Sequence, residues 1–125
     1  MTYEWTQKNA VLDAHQYSLG RYGGLPGMRD EGALEAALAR PINKNAYGED
    51  DIAVLAAAYA FGIAKSHPFN DGNKRAALMV TLQFLDDNGH PLKANPVELT
   101  EAVLKLASSD ITEQEFAAFI RQHIK

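Results

Sequence analysis

The segment Asp51 to Ser66, DIAVLAAAYAFGIAKS, constrains the fold more than any other part of the chain. Ile52, Leu55, Ala56, Tyr59 and Ile63 recur at helical spacing, and Val54, Ala57, Ala58 and Phe61 make the remaining faces apolar as well. A helix that is apolar most of the way round has to be surrounded by other elements. The weakly polar stretch Ile52 to Ala64 is too short to span a bilayer and stops at Lys65, so a membrane helix is not expected. It reads instead as the central helix of a soluble domain. A length of 125 residues with 46% hydrophobic content suits a single domain over 1–125 built on one core.

The rest of the sequence supplies helices to wrap it. The spacing of Val11, Leu12, His15 and Leu19 predicts a helix from about Gln7 to Leu19, with Thr6 as N-cap and Gly20 as its stop. Arg21 to Gly27, with three glycines and a proline, reads as a loop. A short helix from Glu31 to Ala39 follows, capped by Asp30 and ended by Pro41, and Ile42 to Asp50 reads as another loop. After the central helix, Leu78, Leu82 and Leu85 mark a helix from Asn73 to Asn88, nearly as apolar and closed by Gly89. His90 to Ala94 suits a short extended piece. Asn95-Pro96-Val97-Glu98 is a helix start with Asn N-cap, Pro at N1 and Glu at N3. Thr112-Glu113-Gln114-Glu115 is a capping box ahead of Phe116, Phe119, Ile120 and Ile124. The expected fold class is all-α, a compact bundle of about six helices.

Composition removes several functions. The absence of cysteine excludes disulfides, thiolate zinc sites and a cysteine nucleophile, so any metal must sit on oxygen or imidazole ligands. A net charge of −4 gives no chain-wide attraction for nucleic acid, and direct nucleic-acid binding is not expected. The opening Met1-Thr2-Tyr3-Glu4-Trp5 lacks the basic and apolar regions of a signal peptide, which predicts a cytoplasmic protein. His15, His90 and His123 read as structural or surface residues, with no pair at zinc-site spacing. Trp5, Tyr17 and Tyr22 are expected to pack on the core or to cover the joint described next.

That joint, His67-Pro68-Phe69-Asn70-Asp71-Gly72-Asn73-Lys74-Arg75, links the two most apolar helices and concentrates the chemistry. Gly72 permits a conformation in which backbone N–H groups converge, and the helix that follows presents unpaired N–H groups suited to phosphate. Lys74 and Arg75 fall in its first turn, where each cation opposes the helix dipole by about 0.3–1 kcal/mol. A bound polyanion would reverse that sign. Asp71 offers a carboxylate suited to Mg²⁺ bridging nucleotide oxygens. Histidine titrates near neutrality, so His67 could take a proton from a hydroxyl. Phe69 reads as an apolar pin for the loop. These residues define a phosphate site with a base and a metal ligand; they do not define the reaction.

The joint resembles the Fic motif, His-Pro-Phe-x-Asp/Glu-Gly-Asn-Gly/Lys-Arg, and Arg21 to Met28 resembles the N-terminal loop of Doc toxins, partners in Phd–Doc toxin–antitoxin pairs. Length and helix order are similar as well, so the resemblance covers nearly the whole chain. Fic adenylyltransferases continue Gly-Asn-Gly-Arg-x-x-Arg; here Lys74 replaces the second glycine and Leu78 the second arginine, as in Doc proteins. The resemblance implies a kinase that transfers the γ-phosphate of ATP, with Mg²⁺, to a threonine of elongation factor Tu and so blocks translation. His67 would be the general base and Asp71 the Mg²⁺ ligand. Asn70, Gly72, Asn73, Lys74 and Arg75 would hold phosphates, with Lys74 and Arg75 also steadying developing charge. It further implies an antitoxin that inhibits by donating a helix, since the cis-inhibitory pattern Ser/Thr-x-x-x-Glu-Gly/Asn does not occur in this sequence. Ile42 to Asp50 takes the place of the family's target-docking flap. The alternatives are a Fic-type adenylyltransferase and a catalytically silent, antitoxin-bound co-repressor. A metal-dependent hydrolase lacks ligands near His67.

Overall fold

A computed structural model describes residues 2–124. Six helices follow one another: α1 (Lys8–Tyr22), α2 (Glu31–Ala46), α3 (Ile52–Ser66), α4 (Asn73–Asp87), α5 (Pro96–Ala107) and α6 (Glu113–His123). No strand occurs among the described residues, only an isolated antiparallel bridge between Met28 and Phe69.

The helix apolar on all faces is the axis of the molecule. Of α3, Ile52, Ala53, Leu55 to Ala60 and Gly62 to Ala64 are buried, and α2, α4, α5 and α6 all pack on it. Gly62 sets the closeness of α2, because a methyl group there would lie 3.0 Å from both Cα and Cβ of Ala37. Around Phe84 of α4 an aromatic group closes one end of the core: Trp5 stacks on it at 5.6 Å, and Tyr59 tilts against it at 5.0 Å. Asn88 ties the N-terminal segment to the end of α4. Its Oδ1 accepts from Glu4 N at 2.8 Å, and its Nδ2 donates to Glu4 O at 3.0 Å and Phe84 O at 2.7 Å.

The expected caps form where side-chain chemistry is local. Asp30, Asn95 and Thr112 each accept a hydrogen bond from the backbone of the helix they precede, and Glu115 completes the box by accepting from Thr112 N at 2.9 Å. Three boundaries differ from the sequence expectation. Helix α1 is capped by Gln7, not Thr6, whose N–H instead donates to the buried Tyr59 hydroxyl at 3.1 Å. It also runs through Gly20 to Tyr22, so Arg21 and Tyr22 are not in the loop. Helix α2 runs through Pro41 to Ala46, and only the end of the expected 42–50 loop lies outside it. An internal proline costs about 3 kcal/mol. Pro41 itself is buried in the core, and its neighbour Arg40 makes a fork onto Glu113 at 3.1 and 3.0 Å, a hydrogen bond to Ala58 O and a seat 4.8 Å from the Phe61 ring centre. Residues 90–94 form no strand; Lys93 N donates to His123 O at 2.7 Å.

Helix α4 is less apolar all round than α3. Its core face is Ala76, Ala77, Val80, Thr81, Phe84 and Leu85, while Leu78 and Leu82 are half-buried on its flank. Tyr17 and Tyr22 stay exposed, unlike Trp5, which packs.

Candidate active site

Helix α3 ends at His67, which adopts the left-handed conformation with φ 49° and ψ 60°. For a residue other than glycine this costs on the order of 1–3 kcal/mol and persists only where surrounding contacts enforce it. Here they come from a second segment laid alongside. Arg29 N and Asp30 N both donate to Pro68 O, at 2.8 and 3.0 Å, and Asn70 N donates to Gly27 O at 3.1 Å. The Asn70 amide adds a bond to Pro26 O at 3.0 Å. The Arg29 guanidinium reaches His67 O at 2.6 Å and Ser66 O at 2.5 Å. The left-handed turn leaves the His67 side chain at the surface.

Beneath the loop, Phe69 is buried and stacks on His15 with ring centres 3.7 Å apart. His15 Nε2 lies 2.8 Å from Asp71 O. A carbonyl only accepts, so this nitrogen carries the proton, and His15 is a structural floor. Asn73 braces the loop from the other side: its Oδ1 accepts from Phe69 N at 2.9 Å, and its Nδ2 donates to Phe69 O at 3.0 Å.

The charged groups then take their places. Gly72 is the N-cap of α4 at φ 76°, a conformation that suits glycine. The first-turn N–H groups of α4 point out of the helix without intrahelical partners. Asp71 Oδ1 accepts from Gly72 N at 2.8 Å, and Oδ2 from Leu25 N at 3.2 Å. These bonds, that from Leu25 first, hold the carboxyl below the ordinary aspartate range; desolvation opposes them, and Arg75 and His15 add smaller help. Arg75 donates to Gly23 O at 3.2 Å and sits 5.2 Å from the Tyr22 ring centre. Lys74 is exposed.

His67, Asn70, Asp71, Gly72, Asn73, Lys74 and Arg75 line one cleft of about 410 Å³. All the residues singled out from the sequence thus share one surface. Two of them have further employment there, since the amides of Asn70 and Asn73 are bonded to backbone. A second, largely apolar groove of about 390 Å³ adjoins it at Lys74 and Arg75, walled by Tyr22, Leu78, Met79, Val103 and Leu104. Sequence reasoning missed Arg29, Leu25 and the load on His15, because each acts through backbone groups remote in sequence. The resemblance over 21–28 points to Leu25 and stops one residue short of Arg29.

The carboxylate suits a magnesium ion held partly by substrate. Each Asp71 oxygen accepts one hydrogen bond, which leaves lone pairs on an ionised group. No cluster of three or more metal-ligating side chains occurs among the described residues. One carboxylate plus nucleotide phosphates is the usual Mg²⁺ arrangement.

The chain matches the Fic/DOC family over residues 5–85, a span that includes the whole cleft. It is 38% identical over 113 residues to "Protein kinase doc" of Escherichia phage P1, covering 90% of this chain and 89% of that one. It is also 38% identical over 95 residues to "Toxin Doc" of Mycolicibacterium smegmatis, covering 74% of this chain and 70% of that one. With its motif folded into a cleft between α3 and α4, the chain belongs to the Fic/Doc family.

Proposed function

We propose that this chain is a Doc-type toxin that moves the γ-phosphoryl group of ATP onto a hydroxyl of a translation protein, a threonine of elongation factor Tu. The observation that carries the reading is the single cleft in which His67, the ionised Asp71 and the N-terminus of α4 with Lys74 and Arg75 face the same space. The relative in phage P1 is named a protein kinase, which supports phosphoryl transfer.

In this proposal the acceptor oxygen attacks the γ-phosphorus while His67 takes its proton. The bond from the γ-phosphorus to the bridging oxygen of the β-phosphate breaks, ADP leaves, and His67 passes the proton to solvent. Asp71 would hold Mg²⁺, and the ion would neutralise phosphate charge. Lys74, Arg75 and the first-turn N–H groups bind phosphate oxygens; positioning and electrostatics provide most of the acceleration in such a reaction. Leu78 argues for this over adenylyl transfer, because the position of the second Fic arginine lines an apolar groove instead of offering a cation to phosphates. That groove, between α1, α4 and α5, is also the proposed seat of the antitoxin helix. The protein would act in the cytoplasm, where ATP and the translation machinery are found. No described helix is long and apolar enough to cross a membrane.

The test is a cell-free translation reaction given the protein or its His67→Ala variant. The expected result is arrest by the first alone, with elongation factor Tu gaining one phosphoryl group on a threonine by mass spectrometry. Arrest with an adenylyl group on the factor would replace the kinase by the adenylyltransferase. No arrest and no modification would favour the silent co-repressor.

A further inference from the structure

We infer that Arg29 is a positioning residue for His67, fixing the backbone from which the imidazole enters the cleft. The inference rests on the reading of His67 as the proton acceptor.

The direction of the His67 side chain follows from the two peptide planes that flank its Cα. The plane between Ser66 and His67 is held on both sides: His67 N donates to Ile63 O at 3.3 Å, and Ser66 O accepts from the Arg29 guanidinium at 2.5 Å. The plane between His67 and Pro68 has less to hold it. Proline has no N–H, so the His67 carbonyl is that plane's sole hydrogen-bonding group. It accepts from Arg29 Nε at 2.6 Å. The next carbonyl, Pro68 O, accepts from the backbone N of the same arginine at 2.8 Å. One residue therefore grips three successive carbonyls around a left-handed, non-glycine position. The rigid planar fork of arginine suits two carbonyls at once; the lysine ammonium is a single point.

The competing reading makes Arg29 a charged cap on the C-terminus of α3. Lysine discriminates, because it keeps the charge and loses the fork. The experiment compares the full-length wild-type chain with Arg29→Lys and Arg29→Ala. Thermal midpoint, ATP-dependent phosphate transfer and the NMR signals of the His67 ring, assigned by their absence in His67→Ala, are measured for each. The expected result for Arg29→Lys is a midpoint near wild type, a kcat about tenfold to a hundredfold lower and an unchanged KM for ATP. Its His67 ring signals should shift or split. An unchanged kcat with unchanged ring signals would overturn the inference, and so would a rise in KM alone, which would make Arg29 a nucleotide ligand. Loss of folding in both variants would assign it a global structural role and overturn it too. If the wild-type chain transfers no phosphate, the kinase reading falls, and the ring signals alone decide: unchanged overturns, altered supports.

Discussion

At the scale of single residues, His67 separates function from stability. Its left-handed backbone favours glycine over any residue with a Cβ, by about 1–2 kcal/mol. Its side chain is exposed, so little packing depends on it. His67→Ala is therefore expected to leave the thermal midpoint almost unchanged while removing the proposed general base, a loss of about 10²–10⁴-fold in transfer rate. His67→Gly should be equally inactive yet about 1 kcal/mol more stable than the alanine variant, which a pair of urea titrations would check. Asp71 gives a pH signature. Its carboxyl lies below the ordinary aspartate range in the fold because Leu25 N and Gly72 N donate to the charged form. A depressed carboxyl contributes stability above its unfolded pKa and loses it as pH falls through the folded one. The midpoints of wild type and Asp71→Asn should therefore differ at neutral pH and converge in acid, below the usual carboxylate range. Convergence near neutrality would point to another group.

Among elements, the α2–α3 contact is the tightest joint. Gly62→Ala would press a methyl group onto Ala37 backbone and side chain, both already buried. An overpacked core of this kind loses about 1–3 kcal/mol, and the variant should melt correspondingly lower while its cleft, beyond the end of α3, keeps its sequence intact. The same pair of helices shows where sequence reasoning stops. Helix starts at Asp30, Asn95 and Thr112 are legible because donor and acceptor lie within three residues. The passage of α2 through Pro41 is not legible, since the burial of Pro41 and the contact of Arg40 with Glu113 at a separation of 73 residues are tertiary. The site divides likewise. The grouping of His67, Asp71, Gly72, Lys74 and Arg75 on one cleft is legible, because they lie within nine consecutive residues. The fork of Arg29 and the brace of Asn73 depend on how the 26–30 segment and the loop fold back, and no local pattern encodes that.

For the whole molecule, one buried helix contacts most of the others, which ties the core into one unit. Trp5, the sole tryptophan, stacks on Phe84 at the α4 end of that core, far along the helix from the cleft. Unfolding is expected to be a single transition, with tryptophan fluorescence and far-ultraviolet circular dichroism coincident in urea. A fluorescence change that precedes loss of helix would mean that the N-terminal segment detaches separately. The cleft lies at the opposite end, on a loop held by contacts from α1 and from the segment ahead of α2. The geometry of the cleft therefore depends on the whole bundle and not on the motif alone.

The proposed reaction is transfer of the terminal phosphate of ATP in this cleft. The measurement that tests it most directly incubates the protein with Mg²⁺, elongation factor Tu and ATP labelled at either the α- or the γ-phosphate, with His67→Ala alongside. Label on the factor from the γ-position only, absent with the variant, is the predicted result. Label from the α-position, or γ-label undiminished by His67→Ala, would contradict it.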